Sequence, residues 1–172
     1  MVNRDHHPAK LCLTWQFSNQ RAVDRLEPYK NMLWLYVATG HMYLGVRGKE
    51  QKQYEAGSLV NIKEFSGTDM ECNYPETGAF TFWVNGLDDR NRSCNIIESD
   101  NQYSLDKHDK ERWVAVVSGH VDANDRHIPT RTLARIPPNT KVLFKGVTPK
   151  TLLGNREEIE NISFILAVFE DV

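Results

Sequence analysis

Behind the apolar lead of Leu11-Cys12, apolar and polar residues alternate from Leu13 to Phe17, the period-two rhythm of a half-buried strand, predicted over residues 11–17. Met32 to Thr39 is a longer apolar run halted at Gly40. His41 to Val46 follows as a second strand, closed by a turn around Arg47-Gly48-Lys49. In that strand Met42, Leu44 and Val46 form the apolar set, so His41 and Tyr43 point to the opposite face. A turn at Tyr54-Glu-Ala-Gly57 leads into a strand ending at Ile62, and another strand runs from Ala79 to Val84. Ala22, Val23 and Leu26 are spaced for a single helical turn, with Asn19 as its cap and Pro28 as its stop. No other segment has the pattern of a helix.

A polar stretch from Gly86 to Arg112, interrupted at Ile96-Ile97, separates this set from a second one. Strands are predicted over 113–118, 130–136, 141–144 and 162–169, with turns at Asn124-Asp125 and Pro137-Pro138-Asn139-Thr140. Trp34-Leu-Tyr-Val-Ala-Thr-Gly40-His41 returns in this second set as Trp113-Val-Ala-Val-Val-Ser-Gly119-His120. Such a return predicts two copies of one β-unit, over 1–88 and 89–172, packed as one compact unit. Beyond the Gly-His anchors the copies can be aligned in two ways, Ile62 with Ile136 or Gly57 with Asn139.

Two strands are apolar on both faces. In the last, Ile162, Phe164, Leu166 and Val168 alternate with Ile165, Ala167 and Phe169; its first-half counterpart sets Phe80, Phe82 and Val84 against Trp83. Both faces must be covered, by the other half or by another subunit. Trp83, Ile165 and Phe169 are the side chains expected at an oligomer interface in the second case.

Many short strands, two halves and minimal helix predict an all-β jelly-roll sandwich. At two places the chain resembles cupin domains. Leu35-Tyr-Val-Ala-Thr-Gly40-His-Met-Tyr-Leu followed by Glu55-Ala-Gly57-Ser-Leu-Val-Asn-Ile62 is similar to the cupin rhythm of strand, Gly, strand and Ala-Gly-small-apolar segment. Val116-Val-Ser-Gly119-His-Val followed by Ala134-Arg-Ile-Pro-Pro-Asn-Thr140 is similar to the cupin strand that ends in an Ile-Pro-Pro turn. The resemblance implies a tandem, degenerate cupin. Metal-binding cupins carry a His-x-His pair with a Glu after the first Gly, and a further His after a Pro-Gly turn. Here His-Met-Tyr-Leu-Gly follows Gly40, His-Val-Asp-Ala-Asn follows Gly119, and Lys141 or Val142 stands where the later His is expected. The chain has no His-x-His, so no metal or other cofactor is expected.

Composition narrows the function further. The 21 basic and 23 acidic residues are interspersed, giving a net charge of −2 and no electrostatic footprint for nucleic acid or anionic lipid. No apolar run approaches the roughly 20 residues of a membrane-spanning helix, and Met-Val-Asn-Arg-Asp-His-His-Pro has no secretory apolar region, so a cytoplasmic protein, or one assembled into a particle there, is expected. Cys12, Cys72 and Cys94 are an odd number without a C-x-x-C pair and read as reduced thiols.

Candidate binding residues follow from position. His41 and His120 both succeed a Gly and read either as a pseudo-symmetric pair of ligands or acid-base groups, or as polar residues on the face opposite the core. Arg131 and Arg135 flank Leu133; if that face lines a cavity they clamp a carboxylate or phosphate, and if the Thr132-Ala134-Ile136 face is buried they are solvated. The function expected is a non-enzymatic β-module acting through its surfaces, a structural, assembly or decoration protein (of a virion by analogy of fold), in a homo-oligomer or larger assembly. The alternative is a cupin-like enzyme or sensor with a small polar or anionic ligand inside a β-roll, held by His120, Arg131 and Arg135 or by His41 and Tyr43.

Overall fold

The computed structural model describes residues 2–6, 10–19, 24–26, 32–65, 68–87, 91–148 and 162–172, in two compact units, Met1–Arg90 and Asn91–Val172. The first unit holds β1 (Val2–His6), β2 (Leu11–Ser18), β3 (Asp24–Leu26), β4 (Met32–Thr39), β5 (His41–Val46), β6 (Lys52–Glu55), β7 (Leu59–Asn61), β8 (Met70–Asn73) and β9 (Ala79–Gly86). The second holds β10 (Arg92–Ser99), β11 (Gln102–Leu105), β12 (Arg112–Ser118), β13 (His120–Ala123), β14 (Arg126–Ile128), β15 (Leu133–Ile136), β16 (Val142–Val147) and β17 (Phe164–Asp171). In the first unit the sheets run β1-β2-β9-β4-β7 and β3-β8-β5-β6; in the second they run β10-β17-β12-β15 and β11-β16-β13-β14. With β1 set aside, the second unit repeats the first strand for strand. Two four-stranded antiparallel sheets that exchange successive strands in this order make a jelly roll, so the chain is all-β in two repeated halves.

Several elements differ from the pattern of the sequence. The polar stretch before Trp113 contains β10 and β11, because pairing along β17 (Cys94 opposite Phe169, Ile96 opposite Ala167) and along β16 supplies what side-chain alternation does not announce. Ile62 does not continue β7; it opens a 3-10 helix, Ile62–Phe65, where Asn61 Oδ1 accepts the Lys63 N–H at 3.1 Å. The helical turn expected around Ala22 and Val23 lies outside the described residues, and Leu26 belongs to β3.

Backbone pairing decides the alignment of the halves. Leu35 faces Val60 and Val114 faces Ala134, so Ile62 matches Ile136. Gly57 then matches Arg131 rather than Asn139: the Gly57 N–H donates to Val37 O at 2.8 Å and the Arg131 N–H to Val116 O at 2.7 Å. The repeat extends to irregularities, since β4 slips register against β9 between Val37 and Thr39 and β12 slips against β17 between Val116 and Ser118.

Each half closes over its own apolar core. Leu35, Val37, Met42, Leu44, Val60, Ile62, Met70, Cys72, Tyr74, Ala79 and Trp83 cluster in the first. Val114, Val116, Val121, Ile128, Ile136, Val142, Phe144, Phe164, Leu166 and Val168 do so in the second. Trp83 is thus a core residue, 6% exposed, with its Nε1–H donated to Thr81 Oγ1 at 2.9 Å. Phe169, on the opposite face of β17 from this core, is 1% exposed, and Ile165 is half-buried. Neither Trp83 nor Phe169 is therefore open to a second subunit, because this chain already covers both.

At the corner where each half passes from one sheet to the other sits a glycine in the left-handed region, Gly40 at φ 74° and Gly119 at φ 80°. A Cβ on Gly40 would lie 2.4 Å from Gly78 O, and one on Gly119 2.8 Å from Ser163 O, both backbone atoms that cannot swing aside. Left-handed strain alone costs about 1–2 kcal/mol, so Gly119→Ala is expected to lower stability by at least about 2 kcal/mol, with Gly40→Ala alike. Urea unfolding of both variants checks this, and midpoints within error of the parent would count against the tight corner.

Candidate functional site

The jelly roll could hold a ligand in its interior or at its open side. The interiors are lined by apolar side chains. On β13 the inward residues are Val121 and Ala123, on β15 Ala134 and Ile136, and on β16 Val142 and Phe144; in the first half Met42, Leu44, Val60 and Met70 play this part. None offers a nitrogen or oxygen donor, and among the described residues no group of three or more His, Cys, Asp or Glu could hold a metal ion. The donor set does not fit a metal.

One end of the second interior is closed by a charge. Arg112, 4% exposed and on the same face of β12 as Val114 and Val116, donates from Nη2 to Asp106 O at 2.6 Å and Thr140 O at 3.4 Å. Its Nη1 lies 4.0 Å from Glu170 Oε1, and its Nε is buried with no hydrogen-bond partner among the described residues. The matching first-half residue is Leu33, buried without charge. Arg112 therefore ties two loops to the barrel end.

The residues picked from sequence fall in separate places. His41 and Tyr43 lie half-buried on the outer face of β5, their rings edge to face at 5.6 Å. His120 takes the corresponding outer position on β13, opposite Val121, and stacks on His127 at 5.9 Å with 4° between the planes. Both Gly-His histidines are thus turned away from the cores. The arginine clamp does not form. Arg131 stands in the turn before β15 in left-handed geometry, φ 61°, and Arg135 on the outer face pairs with Glu111, which also accepts the Trp113 Nε1–H at 3.1 Å. Ala134 and Ile136 pack inward, so Arg135 is held outward at the surface.

His127 was not singled out by any motif, yet the hairpin contained the signal. Asn124 and Asp125, φ 46° and 64°, form a two-residue turn, and this places Asp122 opposite His127. His127 Nδ1 is 3.1 Å from Asp122 Oδ1. Asn124 also clasps β16, accepting the Leu143 N–H at 2.9 Å and donating to Lys141 O at 3.0 Å.

The open side of the second half is a cleft of about 460 Å³ between the edge strands β14 and β15. Arg126, His127 and Arg135 stand at its rim, and Ile128, Ile136 and Val142 line its depth. No aspartate or glutamate lines it.

No protein-family model and no curated protein matches the sequence. Solved structures do match. HutD from Pseudomonas fluorescens SBW25 aligns with a TM-score of 0.61 at 11% identity, over 99% of this chain and 86% of that one. The bacterial pirin YhhW from Escherichia coli, solved in complex with nickel(II), aligns with a TM-score of 0.60 at 11% identity, over 95% and 82%. A cupin 2 conserved barrel domain protein from Leptotrichia buccalis aligns with a TM-score of 0.51 at 10% identity, over 100% and 88%.

This chain has the cupin fold, in two halves.

At such identities the likeness carries the fold alone. Nickel(II) belongs to the YhhW structure; among the described residues of this chain no group of three or more His, Cys, Asp or Glu could hold a metal ion. Nothing in these likenesses speaks for a virion component.

Two measurements probe the second cupin half. Arg112→Ala leaves the Asp106 and Thr140 carbonyls without their donor and is expected to cost about 3 kcal/mol in urea unfolding, well above a surface arginine such as Arg126→Ala. Burial first, and the neighbouring His127 second, hold the His120 pKa below the ordinary imidazole value. The unfolded chain then takes up that proton first, so stability is lost as pH falls through the unfolded value of about 6.5. His120→Phe keeps a stacking ring and removes the proton site. It is expected to flatten the fall in stability between pH 7.5 and 5.5, and an unchanged slope would assign that fall to other groups.

Proposed function

We propose that this chain is a non-enzymatic cupin that works through its surfaces, as an assembly or partner-binding module in a homo-oligomer or larger protein complex of the cytoplasm. The observation that carries the reading is the apolar filling of both barrels. A cupin catalyst needs converging donors inside a barrel, and the core clusters here are Val, Ala, Ile, Phe, Met and Leu, with Cys72, Tyr74 and Trp83 in the first half and no His, Asp or Glu in either. Cys12, Cys72 and Cys94 form no disulfide, and burial pushes the Cys94 pKa up to about 12, which removes it as a nucleophile near neutral pH. Histidines that a metal cupin would turn inward instead pack on outer faces, His41 on Tyr43 and His120 on His127.

The reading that competes with it, a small polar or anionic ligand in a β-roll, is favoured by one feature, the cleft of the second half. Native mass spectrometry of the purified chain tests the main reading. A metal-free oligomer is the expected result; a monomer carrying stoichiometric metal would overturn it.

A further inference from the structure

The two halves share one topology, and their open sides carry different residues. In the first half the opening lies between β6 and β7, in the second between β14 and β15. Met42 faces Tyr54 and Val121 faces Ile128, so Tyr54 and Ile128 are matching positions. Tyr54 packs against the first core, and so does Phe65 of the 3-10 helix. The second half has neither ring: Ile128 is shorter, and Pro137-Pro138 follow β15 where the first half turns into its helix. On this side the second half has a cleft of about 460 Å³, within the range of small-molecule sites.

Charge follows the same asymmetry. Lys52, one step before Gln53 on β6, holds its ammonium 5.1 Å from the centre of the Tyr54 ring. Its counterpart Arg126 shares a strand face with Ile128, which has no ring to receive it, and stands exposed at the cleft rim. Arg135 is paired with Glu111 and His127 with Asp122, so Arg126 is the cation that the cleft, apolar in its depth, presents at its mouth.

We infer that the β14–β15 cleft binds a small carboxylate with an apolar body, its hydrocarbon against Ile128, Ile136 and Val142 and its carboxylate at Arg126. The site is separate from the assembly reading, and its test does not depend on oligomeric state. Isothermal titration with hexanoate and with hexanamide, its uncharged twin, supplies the probe pair. Hexanoate is expected to bind saturably and at least about tenfold more tightly than hexanamide, the worth of one charge-assisted contact. Arg126→Gln is expected to abolish that preference while leaving hexanamide binding in place. Ile128→Tyr, which installs the first half's own residue, is expected to remove binding of both with little change in melting temperature. Absence of saturable hexanoate binding, equal affinity for the two probes, or full hexanoate affinity in a folded Ile128→Tyr protein would each overturn the inference.

Discussion

Each half depends on one close approach of backbone to backbone. At Gly40 and Gly119 the chain leaves one sheet of a jelly roll and enters the other, and it turns against the carbonyl of the residue that leads into β9 or β17. No side chain fits between those atoms, and an L-residue is strained at that φ. The strand after the corner is thereby set with its first residue outward. His41 and His120 consequently face away from the cores, and Met42 and Val121 face into them. The position of the two histidines is a consequence of the corner and not of a site built around them.

The interiors of this cupin fold are apolar, and its two halves differ at their edges. With both cores closed, the halves are left to differ where strands have no neighbour, at β6 and β7 and at β14 and β15. There Tyr54 and Phe65 pack against the core of the first half, and Ile128 and Asn139 stand at the matching positions of the second. Such divergence costs little, because edge residues touch few others, whereas a change at Val121 or Met42 is felt throughout a close-packed core.

Buried charge shows the same economy of position. Arg112 sits where Leu33 sits in the first half, and it is tolerated because two loop carbonyls meet its guanidinium and Glu170 stands near. The loops that it gathers carry His108 and Asn139, which are themselves joined by a hydrogen bond of 2.7 Å from the Asn139 N–H to His108 O. The second barrel end is therefore held by polar contacts and the first by an apolar side chain, although the strands that carry them are equivalent.

Much of this was legible in the chain. Apolar alternation marked β2 and β5, continuous apolar runs marked β4, β12 and β17, the Gly-His echo marked the repeat, and Asn124-Asp125 marked the hairpin that brings Asp122 to His127. The two-sided apolar strands announced that both faces of β9 and β17 are covered. What alternation could not show were β6, β8, β10 and β11, short or polar strands held by backbone pairing, since a hydrogen-bonded ladder is indifferent to side chains. Nor could it show which face of the strand before Pro137 is buried, and so the arginine pair read from spacing dissolves: Arg131 occupies the left-handed turn that Gly57 occupies in the first half, and Arg135 turns outward to Glu111. The sequence by itself determined the strands, the turns and the twofold repeat, because these rest on local periodicity and on glycine's backbone freedom. Only the tertiary structure decided the alignment of the repeats, the apolar filling of the barrels and the open edge at β14 and β15, because these depend on which residues from distant strands meet.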